Sequence, residues 1–432
     1  MATIKQLSAR EILDSRGNPT VSVRVLLSDG VDAEASAPSG ASKGSYEAFE
    51  MRDADPKRYN GLGVMKAVDN VNTLISQKIV GMEVTAQQQI DRAMIELDGT
   101  HAKTKLGANA TLPVSIAVTR AAAKSLGVPL FIYLRNFIQK DKTALKIPTP
   151  AFNIFNGGLH ANNSINFQEV LIIPASYKSF SQSLQMGVSV YKQLKDELKR
   201  SNQSMLIGDE GGFAPSLDAN ENALTLVAQA IEHSSLRLGY DIFTGIDASA
   251  NNFFVDDHYK LKDHPSAILP AELSNFYEEI IKKYHCIYLE DPLQEDDLEG
   301  WSLLFPKLSQ KALIVGDDLT ATNPYRLQIA LSKNAINGIV IKPNQIGTVI
   351  ETIAVIEIAR HMNMKIVVSN RSGETTDDFI ADFAVAVGAD YVKFGAPARG
   401  ERVAKYNRLL QIEDQLRAAG AITSTPTSDL VQ

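Results

Sequence analysis

The feature that most constrains the fold is a series of short apolar runs, each of which ends on a charged residue. The run before Lys342 reads as a buried strand, and a lysine fits there only if the end of the strand opens onto a site. The intervals between such residues are close to the roughly 25–35 residues that a strand, a helix and two loops need. The pattern predicts a (β/α)8 barrel with charged side chains at one mouth. The other strand-end residues are Asp247, Glu290, Asp317, Arg371 and Lys393.

The length and composition of the chain indicate how many domains it forms. The chain has 432 residues, which is more than one ordinary hydrophobic core accommodates and enough for two domains. Hydrophobic residues make up 44% of the chain and charged residues 22%, as in ordinary soluble globular proteins. We therefore expect two folded domains, without a repeat array or a coiled coil.

Charge and cysteine content limit the partners and the compartment. The net charge is −7 and the chain has no run of Lys or Arg, so we expect no nucleic-acid partner. No apolar stretch approaches the roughly 20 residues of a membrane span, and the N-terminus lacks the apolar core of a secretion signal. Cys286 is the only cysteine, so no disulfide can form within the chain and we expect a reducing, cytoplasmic location.

The two halves of the chain carry different patterns. The first half opens with β-branched residues around an Asp-Gly turn, which predicts a β-hairpin, and then becomes helical in its apolar spacing. The segment from Pro38 to Ala48 is rich in small residues and predicts a surface loop, with a lid as the alternative. We place an N-terminal α+β domain at residues 1–140 and a barrel domain at residues 141–432, so that the fold class is α/β.

Three carboxylates form the core of the predicted site. Asp247, Glu290 and Asp317 end successive predicted strands, so they should converge at one mouth of the barrel. Three negative charges at one place repel one another unless a cation lies between them. Oxygen ligands without His or Cys favour Mg²⁺ or Mn²⁺ over Zn²⁺. Each acid alone could be a solvated loop group, but together they predict a metal site.

Two lysines and two glutamates near this site offer a base and an acid. Lys342 and Lys393 would flank the metal, and a neighbouring cation lowers the pKa of a lysine because it disfavours the charged form. A fraction of neutral amine could then act as a base. Glu210 and Glu169 should raise each other's pKa, so that one of them stays protonated and can serve as an acid.

An anion-binding group completes the set. Arg371, Ser372 and the backbone at Gly373 offer a guanidinium, a hydroxyl and N–H donors, which suit a phosphate or a carboxylate. A base, an acid, a divalent metal and an anion-binding group together suggest proton abstraction beside a carboxylate, followed by loss of a leaving group. The metal would offset the negative charge that develops on the substrate carboxylate.

Motifs spread along the chain closely resemble those of the enolases, the glycolytic phosphopyruvate hydratases. The motifs are EILDSRGNPTV, SGASKGS, NGGLHA, FQE, IGDEGGFAP, GID, LEDPL, VGDDLTATNP, IKPNQIGT, SNRSGET and KFGAPARGERVAKYN. The resemblance covers nearly the whole chain apart from the tail, and the motifs are specific in combination. It implies an α+β cap on a modified (β/α)8 TIM-type barrel with an irregular start, assembled as a homodimer or an octamer.

The resemblance also implies a reaction and its catalytic residues. The reaction would be the reversible dehydration of 2-phosphoglycerate to phosphoenolpyruvate. Enolase-superfamily sites use a Lys or His base together with Mg²⁺ for such chemistry. Lys342 would take the C2 proton of the substrate, and Glu210 would protonate the departing C3 hydroxyl.

The same resemblance implies the residues that bind metal and substrate. Asp247, Glu290 and Asp317 would hold the first Mg²⁺. Ser42 would reach a second Mg²⁺, which assembles only with the substrate. The residues implied to contact the small phosphorylated carboxylic acid are His160, Gln168, Glu169, Glu290, Asp317, Arg371, Ser372 and Lys393.

Four positions beside these residues depart from the family's motifs. Asn370 replaces a His, and an amide cannot titrate near neutral pH. Lys43 replaces a Thr, Phe394 replaces a Thr or Ser, and Leu159 replaces a polar residue. Either these changes are drift in a functioning enolase, or they mark a paralogue that acts slowly or on a related phospho- or phosphono-carboxylic acid. A third interpretation is a non-catalytic binding protein on the same scaffold, against which the intact acid cluster argues.

Two further positions bear on assembly. Ser22 and Gln411 stand where enolases commonly carry a Glu and an Arg that pair across the dimer interface. Losing one partner would leave an unpaired charge, whereas losing both is nearly neutral in energy. We predict that the dimer persists but is held less by this pair.

Overall fold

A three-stranded antiparallel sheet opens the chain. The computed structural model of the protein describes residues 1–41, 44–138, 145–161 and 163–422. The first strands are β1 (Ile4–Leu13), β2 (Pro19–Leu27) and β3 (Asp32–Ser36), in the order β1-β2-β3. Alternate side chains of β2 are fully buried because the sheet covers the domain core with one face. The predicted hairpin is therefore confirmed as β2 and β3.

Helices complete the N-terminal part. They are α1 (Met65–Asn70), α2 (Ser76–Ile79), α3 (Gln87–Asp98), α4 (Ala108–Leu126) and α5 (Leu130–Leu134), and a π-helical turn joins α1 to α2. The alanine-rich α4 is buried along most of its length and packs against β2 and β3. Within the described ranges, no single helix is long and apolar enough to cross a membrane. One pair of helical segments passes that test together, but the two meet at a bend of 108°.

The strands of the second part form one large sheet and a small hairpin. The large sheet has nine strands in the order β4-β14-β13-β12-β11-β10-β7-β6-β5, and β8 pairs only with β9. The strands are β4 (Thr149–Pro150), β5 (Phe152–Asn156), β6 (Glu169–Pro174), β7 (Ile242–Asp247), β8 (Phe254–Val255), β9 (His258–Tyr259), β10 (Cys286–Glu290), β11 (Leu313–Gly316), β12 (Gly338–Ile341), β13 (Lys365–Ser369) and β14 (Tyr391–Lys393).

The large sheet curls into a nearly closed barrel. Its two edges, β4 and β5, are separated in the chain only by Ala151, so one stretch of backbone borders both ends of the sheet. β6 runs antiparallel to β5 and to β7, whereas all the other neighbours are parallel. The barrel interior is filled by Ala151, Leu171, Ile173, Tyr288, Val315, Val340, Val367 and Tyr391. The predicted modified barrel with an irregular start is therefore confirmed.

Helices surround the barrel, and most of them connect successive parallel strands. They are α6 (Phe180–Arg200), α7 (Asn220–His233), α8 (Pro270–Tyr284), α9 (Leu298–Leu308), α10 (Pro324–Ser332), α11 (Val349–His361), α12 (Phe379–Ala386) and α13 (Gly400–Ala418). Their apolar faces pack on the outside of the sheet and form the main core. The predicted boundary between residues 140 and 141 lies outside the described residues and remains a prediction.

A buried polar network joins the N-terminal helices to the start of α11, which follows β12 in the barrel. The N-terminus of α11 is capped across the interface, because Val349 N donates to Ser115 Oγ at 3.0 Å and Ile350 N donates to Asp91 Oδ2 at 3.1 Å. Asp91 also accepts hydrogen bonds from Gln87 and Ser115. The N-terminal helices therefore fix the start of a barrel helix through hydrogen bonds to its free backbone N–H groups.

Because Asp91 is buried in this network, we expect the free energy of unfolding to depend on pH. Burial raises the pKa of Asp91 from 3.8 to about 7, against the hydrogen bonds that lower it. The folded state therefore binds one more proton than the unfolded state between those values, and the free energy of unfolding falls as the pH rises through that window. Relative to Asp91→Asn, the wild type should lose about 2 kcal/mol of stability between pH 5 and pH 8. Denaturant unfolding at both pH values measures this, and a constant difference between the two proteins would contradict it.

Candidate active site

The three predicted acids meet at one mouth of the barrel. Asp247 ends β7, Glu290 ends β10 and lies beside it in register, and Asp317 directly follows β11. All three are buried. Lys393, the last residue of β14, reaches across the mouth and places its Nζ 2.9 Å from Asp247 Oδ2 and 2.8 Å from Glu290 Oε1. The predicted convergence of these side chains is therefore present in the structure.

The donor set at this mouth fits a hard divalent cation. Asp247 Oδ1 is buried and has no hydrogen-bond partner among the residues that the structure describes, which leaves a carboxylate oxygen available as a ligand. Burial and the neighbouring Asp247 raise the pKa of Glu290 to about 8, which reflects the cost of placing these acids together. Two lysines, Lys342 and Lys393, do not balance the charges of three carboxylates, and oxygen ligands match the preference of Mg²⁺. The residues therefore fit the magnesium ion that the sequence predicts.

A second acidic group adjoins the first. Ligand oxygens of Asp291, Asp317 and Asp318 lie within 4.8 Å of one another, and all three residues are buried. The Asp291 carboxylate accepts hydrogen bonds from the backbone N–H groups of Asp317 at 3.0 Å and of Asp318 at 2.7 Å. Asp291 therefore fixes the backbone that presents Asp317 to the barrel mouth.

The predicted base lies on the β12 side of the acids. Lys342 directly follows β12, and its backbone N–H donates to Thr322 Oγ1 at 3.0 Å. Its Nζ pairs with Asp317 Oδ2. Burial and the charges of Arg371 and Lys393 lower the pKa of Lys342, but the attraction of Asp317 outweighs them and the net direction is upward.

The prediction of lowered lysine pKa values is therefore wrong for the protein's own groups. Burial also lowers the pKa of Lys393, but the three carboxylates around it raise the pKa well above its usual range. The prediction considered the neighbouring cations and omitted the carboxylates that pair with each ammonium. Both lysines are therefore charged when only protein groups surround them.

The opposite flank of the acids carries the predicted glutamates. Glu169 is the first residue of β6, and because β6 runs antiparallel to β7 it lies in register with Asp247. Its carboxylate is 3.1 Å from Lys393 Nζ and 3.5 Å from His160 Nδ1. Glu210 accepts a hydrogen bond from Asn153 Nδ2 at 3.2 Å. Ligand atoms of His160, Glu169 and Glu210 lie within 4.8 Å of one another.

The pKa values of Glu169 and Glu210 are shifted in opposite directions. Burial raises the pKa of Glu169 well above its usual range, with a smaller lowering by Lys393. Burial also acts to raise the pKa of Glu210, but His160 and the cations Arg402 and Lys393 outweigh it and bring this pKa to about 2. Burial therefore favours the protonated form of Glu169, the neighbouring cations favour the charged form of Glu210, and the assignment of Glu210 as the acid stays a prediction.

Gln168 joins the same flank. Its Nε2 donates to Asp247 Oδ2 at 3.4 Å, and its buried Oε1 has no partner within the described part of the chain. Burial lowers the pKa of His160, so its imidazole is neutral near pH 7. Both side chains can therefore offer neutral hydrogen-bonding groups to a substrate at the mouth.

The predicted anion-binding residues lie in the loop after β13. Arg371 is buried and pairs with Glu47, with Nη1 2.8 Å from Oε2 and Nη2 3.1 Å from Oε1. Ser372 Oγ accepts a hydrogen bond from Ala41 N at 2.6 Å. The backbone of this loop is held by the fully buried Arg402, which donates to the carbonyl oxygens of both residues at 2.6 Å.

The positions that depart from the family's motifs have different surroundings. Asn370 is buried and its Nδ2 donates to Arg371 O at 3.0 Å, while its Oδ1 has no partner in the ranges that the structure describes. Phe394 is fully buried and packs against Tyr406, whereas Leu159 is 47% exposed. Ser42, predicted for the second Mg²⁺, and the neighbouring Lys43 lie outside the described residues.

Several residues of the site were not found from the sequence. Glu47, Asn153, Asp291 and Arg402 each contact a predicted site residue or its backbone. Two of them, Asp291 and Arg402, lie inside motifs used for the resemblance, but their residue types gave no sign of which group they contact. Asn153 was detectable as an amide within a buried strand, where a polar side chain needs a partner.

Two family models match the chain. The model described as "Enolase, N-terminal domain" matches residues 4–134, and the model described as "Enolase, C-terminal TIM barrel domain" matches residues 144–427. The second model alone covers more than half of the chain. With the barrel and the acids at its mouth, these matches establish that the chain belongs to the enolase family.

Proposed function

We propose that the protein catalyses the reversible, Mg²⁺-dependent dehydration of 2-phosphoglycerate to phosphoenolpyruvate. The observation that carries the proposal is the order of groups around the barrel mouth. Lys342 lies on one side, the acids Asp247, Glu290 and Asp317 follow in the middle, and the pair of glutamates lies on the other side. A base and an acid on opposite sides of a charge-stabilising centre suit elimination of a proton and a hydroxide.

In this proposal Lys342 removes the C2 proton and the glutamate pair serves the leaving hydroxyl. Burial raises the pKa of Glu169, nearby cations lower that of Glu210, and ligand atoms of the two residues lie within 4.8 Å of each other. Glu210 then delivers the proton to the C3 oxygen, and Glu169 acts as its source. The prediction that Glu210 is the acid is kept, with Glu169 as the group that is protonated before the reaction.

Metal binding at the mouth would prepare these groups. Asp247, Glu290 and Asp317 would hold one Mg²⁺, which would offset the charge on the substrate carboxylate and on the acids that pair with the lysines. We propose Ser42 for a second ion that binds with the substrate. Arg371 and Ser372 would bind the phosphate, while His160, Gln168 and Lys393 would contact the rest of the substrate.

A steady-state assay of phosphoenolpyruvate formation tests the proposal. With 2-phosphoglycerate and Mg²⁺ we expect saturable turnover that stops when EDTA removes the metal. Turnover of a phosphono-acid analogue without turnover of 2-phosphoglycerate would favour a divergent paralogue, which Asn370 motivates because its amide does not titrate. The absence of Mg²⁺ binding by calorimetry would favour a non-catalytic binding protein.

We also propose a cytoplasmic homodimer or octamer. Ser22 is buried and its hydroxyl donates to Glu34, while the exposed Gln411 accepts a hydrogen bond from Arg408 at 3.1 Å. Neither residue therefore leaves an unpaired charge. Light scattering at micromolar concentration should give at least the mass of a dimer, and a strictly monomeric protein would contradict the assembly.

A further inference from the structure

The buried ion pair between Glu47 and Arg371 joins the N-terminal part of the chain to the proposed phosphate site. Both oxygens of Glu47 contact the guanidinium, at 2.8 Å and 3.1 Å, and the side chains are only 8% and 4% exposed. Arg371 Nη1 is also 3.2 Å from Asn344 Oδ1. Two parallel contacts of this kind fix the plane of a guanidinium as well as its place.

The segment that carries Glu47 is itself fixed to the barrel by its neighbours. Ser45 Oγ donates to Glu295 Oε1 at 2.7 Å, and Tyr46 OH donates to Asp296 Oδ1 at 3.1 Å. Ala48 N donates to Gln345 O at 2.8 Å. Positions on both sides of Glu47 therefore contact two different loops of the barrel, independently of Arg371.

The Tyr46 ring adds a contact on the same side. The guanidinium carbon of Arg326 lies 3.9 Å from the centre of this ring, which is a favourable cation–π arrangement. Because its backbone is held on both sides, the Glu47 carboxylate is placed before any ligand arrives. It acts as a fixed support for Arg371 and not as a side chain that follows it.

We propose that Glu47 is a positioning residue for the anion-binding guanidinium of Arg371. It would hold the guanidinium in the orientation that receives the phosphate of the substrate. This proposal rests on the proposed function of the site, but phosphate binding can be measured without turnover. The competing interpretation is that Glu47 occupies the guanidinium in place of the phosphate and so inhibits binding.

Variants of Glu47 distinguish the two interpretations by the sign of the effect. For Glu47→Gln we expect inorganic phosphate to bind at least about tenfold more weakly by calorimetry, because a charge-assisted contact that orients the guanidinium is lost. The KM for 2-phosphoglycerate should rise by a similar factor while kcat changes by less than about threefold. Unchanged or tighter phosphate binding would overturn the proposal and favour competition by Glu47.

Two further variants control for folding and for charge. Glu47→Asp keeps the charge but is one methylene shorter, so it should give a smaller rise in KM and provide a test if Glu47→Gln does not fold. Glu96→Gln removes an equal charge at an exposed helix position, where the carboxylate pairs with Arg92, and should leave phosphate affinity within about twofold of the wild type. An equal loss in Glu96→Gln would show a general charge effect and overturn the specific role of Glu47.

Phosphate binding and turnover of 2-phosphoglycerate together show whether the positioning role of Glu47 or the proposed reaction is wrong. If the wild type binds phosphate but does not convert 2-phosphoglycerate, the reaction fails and the effect of Glu47→Gln on phosphate binding still tests the contact. If the wild type converts 2-phosphoglycerate normally and Glu47→Gln keeps the same KM, the positioning role alone fails. Thermal unfolding of each variant confirms that the compared proteins are folded.

Discussion

Replacing Lys342 with methionine should lower kcat for 2-phosphoglycerate by at least about 10³-fold, because the methionine side chain has similar length but no amine to accept the C2 proton. Lys342→Arg is the sharper variant. It keeps a positive charge beside Asp317, so it should keep the fold and the local charge balance while an arginine cannot act as a base near neutral pH. Both variants should lose kcat to a similar extent in a steady-state assay.

Lys365→Met is the matched control for this experiment. Lys365 is the first residue of β13, so it lies at the end of the barrel opposite to Asp247, Glu290 and Asp317. Its Nζ is 3.5 Å from Asp390. Its turnover should equal that of the wild type. Substantial activity in Lys342→Arg, at more than about one tenth of the wild-type kcat, would show that the amine of Lys342 is not the base.

Replacing Glu290 with glutamine should have opposite effects on metal binding and on stability. Glu290 is fully buried beside Asp247, and both carboxylates share the ammonium of Lys393. Removing one of the three acids should weaken Mg²⁺ binding by at least about a hundredfold, since each ligand of a hard cation contributes strongly to affinity. Without Mg²⁺ and at a pH above 8, where Glu290 is ionised, the same change relieves repulsion between buried acids and should raise the thermal midpoint.

Calorimetry with Mg²⁺ and thermal unfolding in EDTA measure the two effects. Glu278→Gln is the matched control, because Glu278 lies at the surface and pairs with Lys307 and Lys311. It should leave Mg²⁺ affinity unchanged. A lower midpoint for Glu290→Gln in EDTA, with Mg²⁺ affinity unchanged, would mean that Glu290 is a structural acid held by Lys393 and not a metal ligand.

The strand ends could be predicted because their signal is local. An apolar run of four or five residues that ends on a charge needs no tertiary information to suggest a strand opening onto a site, and β7, β10 and β14 end on Asp247, Glu290 and Lys393 as predicted. Parallel direction then brings those ends to the same mouth. The convergence of the acids follows from that geometry alone.

Glu169 shows where local reasoning was incomplete. It begins its strand instead of ending it, and only the antiparallel direction of β6 brings it to the mouth beside Asp247. Glu169 was predicted to lie near Glu210 without a strand direction, whereas the strand-end pattern alone would have placed it at the opposite end of the barrel. Strand direction depends on the connections between strands, which the residues around Glu169 do not encode.

The pKa values could not be predicted because they depend on which partner each group meets. Asp317 raises the pKa of Lys342. Burial raises the pKa of Glu169, whereas nearby cations lower that of Glu210. The residue types at the site do not show which of these partners each group meets. Glu47 was missed for the same reason. It lies far from Arg371 in sequence, and only the folded chain places the two side chains together.

The exchange of the C2 hydrogen of 2-phosphoglycerate with solvent tests the central claim most directly. In D₂O with Mg²⁺, the wild type should exchange this hydrogen, as measured by NMR of the recovered substrate, and should stop exchanging it when EDTA is added. Glu210→Gln should still exchange it while failing to form phosphoenolpyruvate, because proton removal precedes departure of the hydroxyl. Exchange that persists in Lys342→Arg, or that proceeds in EDTA, would contradict a metal-assisted proton abstraction by Lys342.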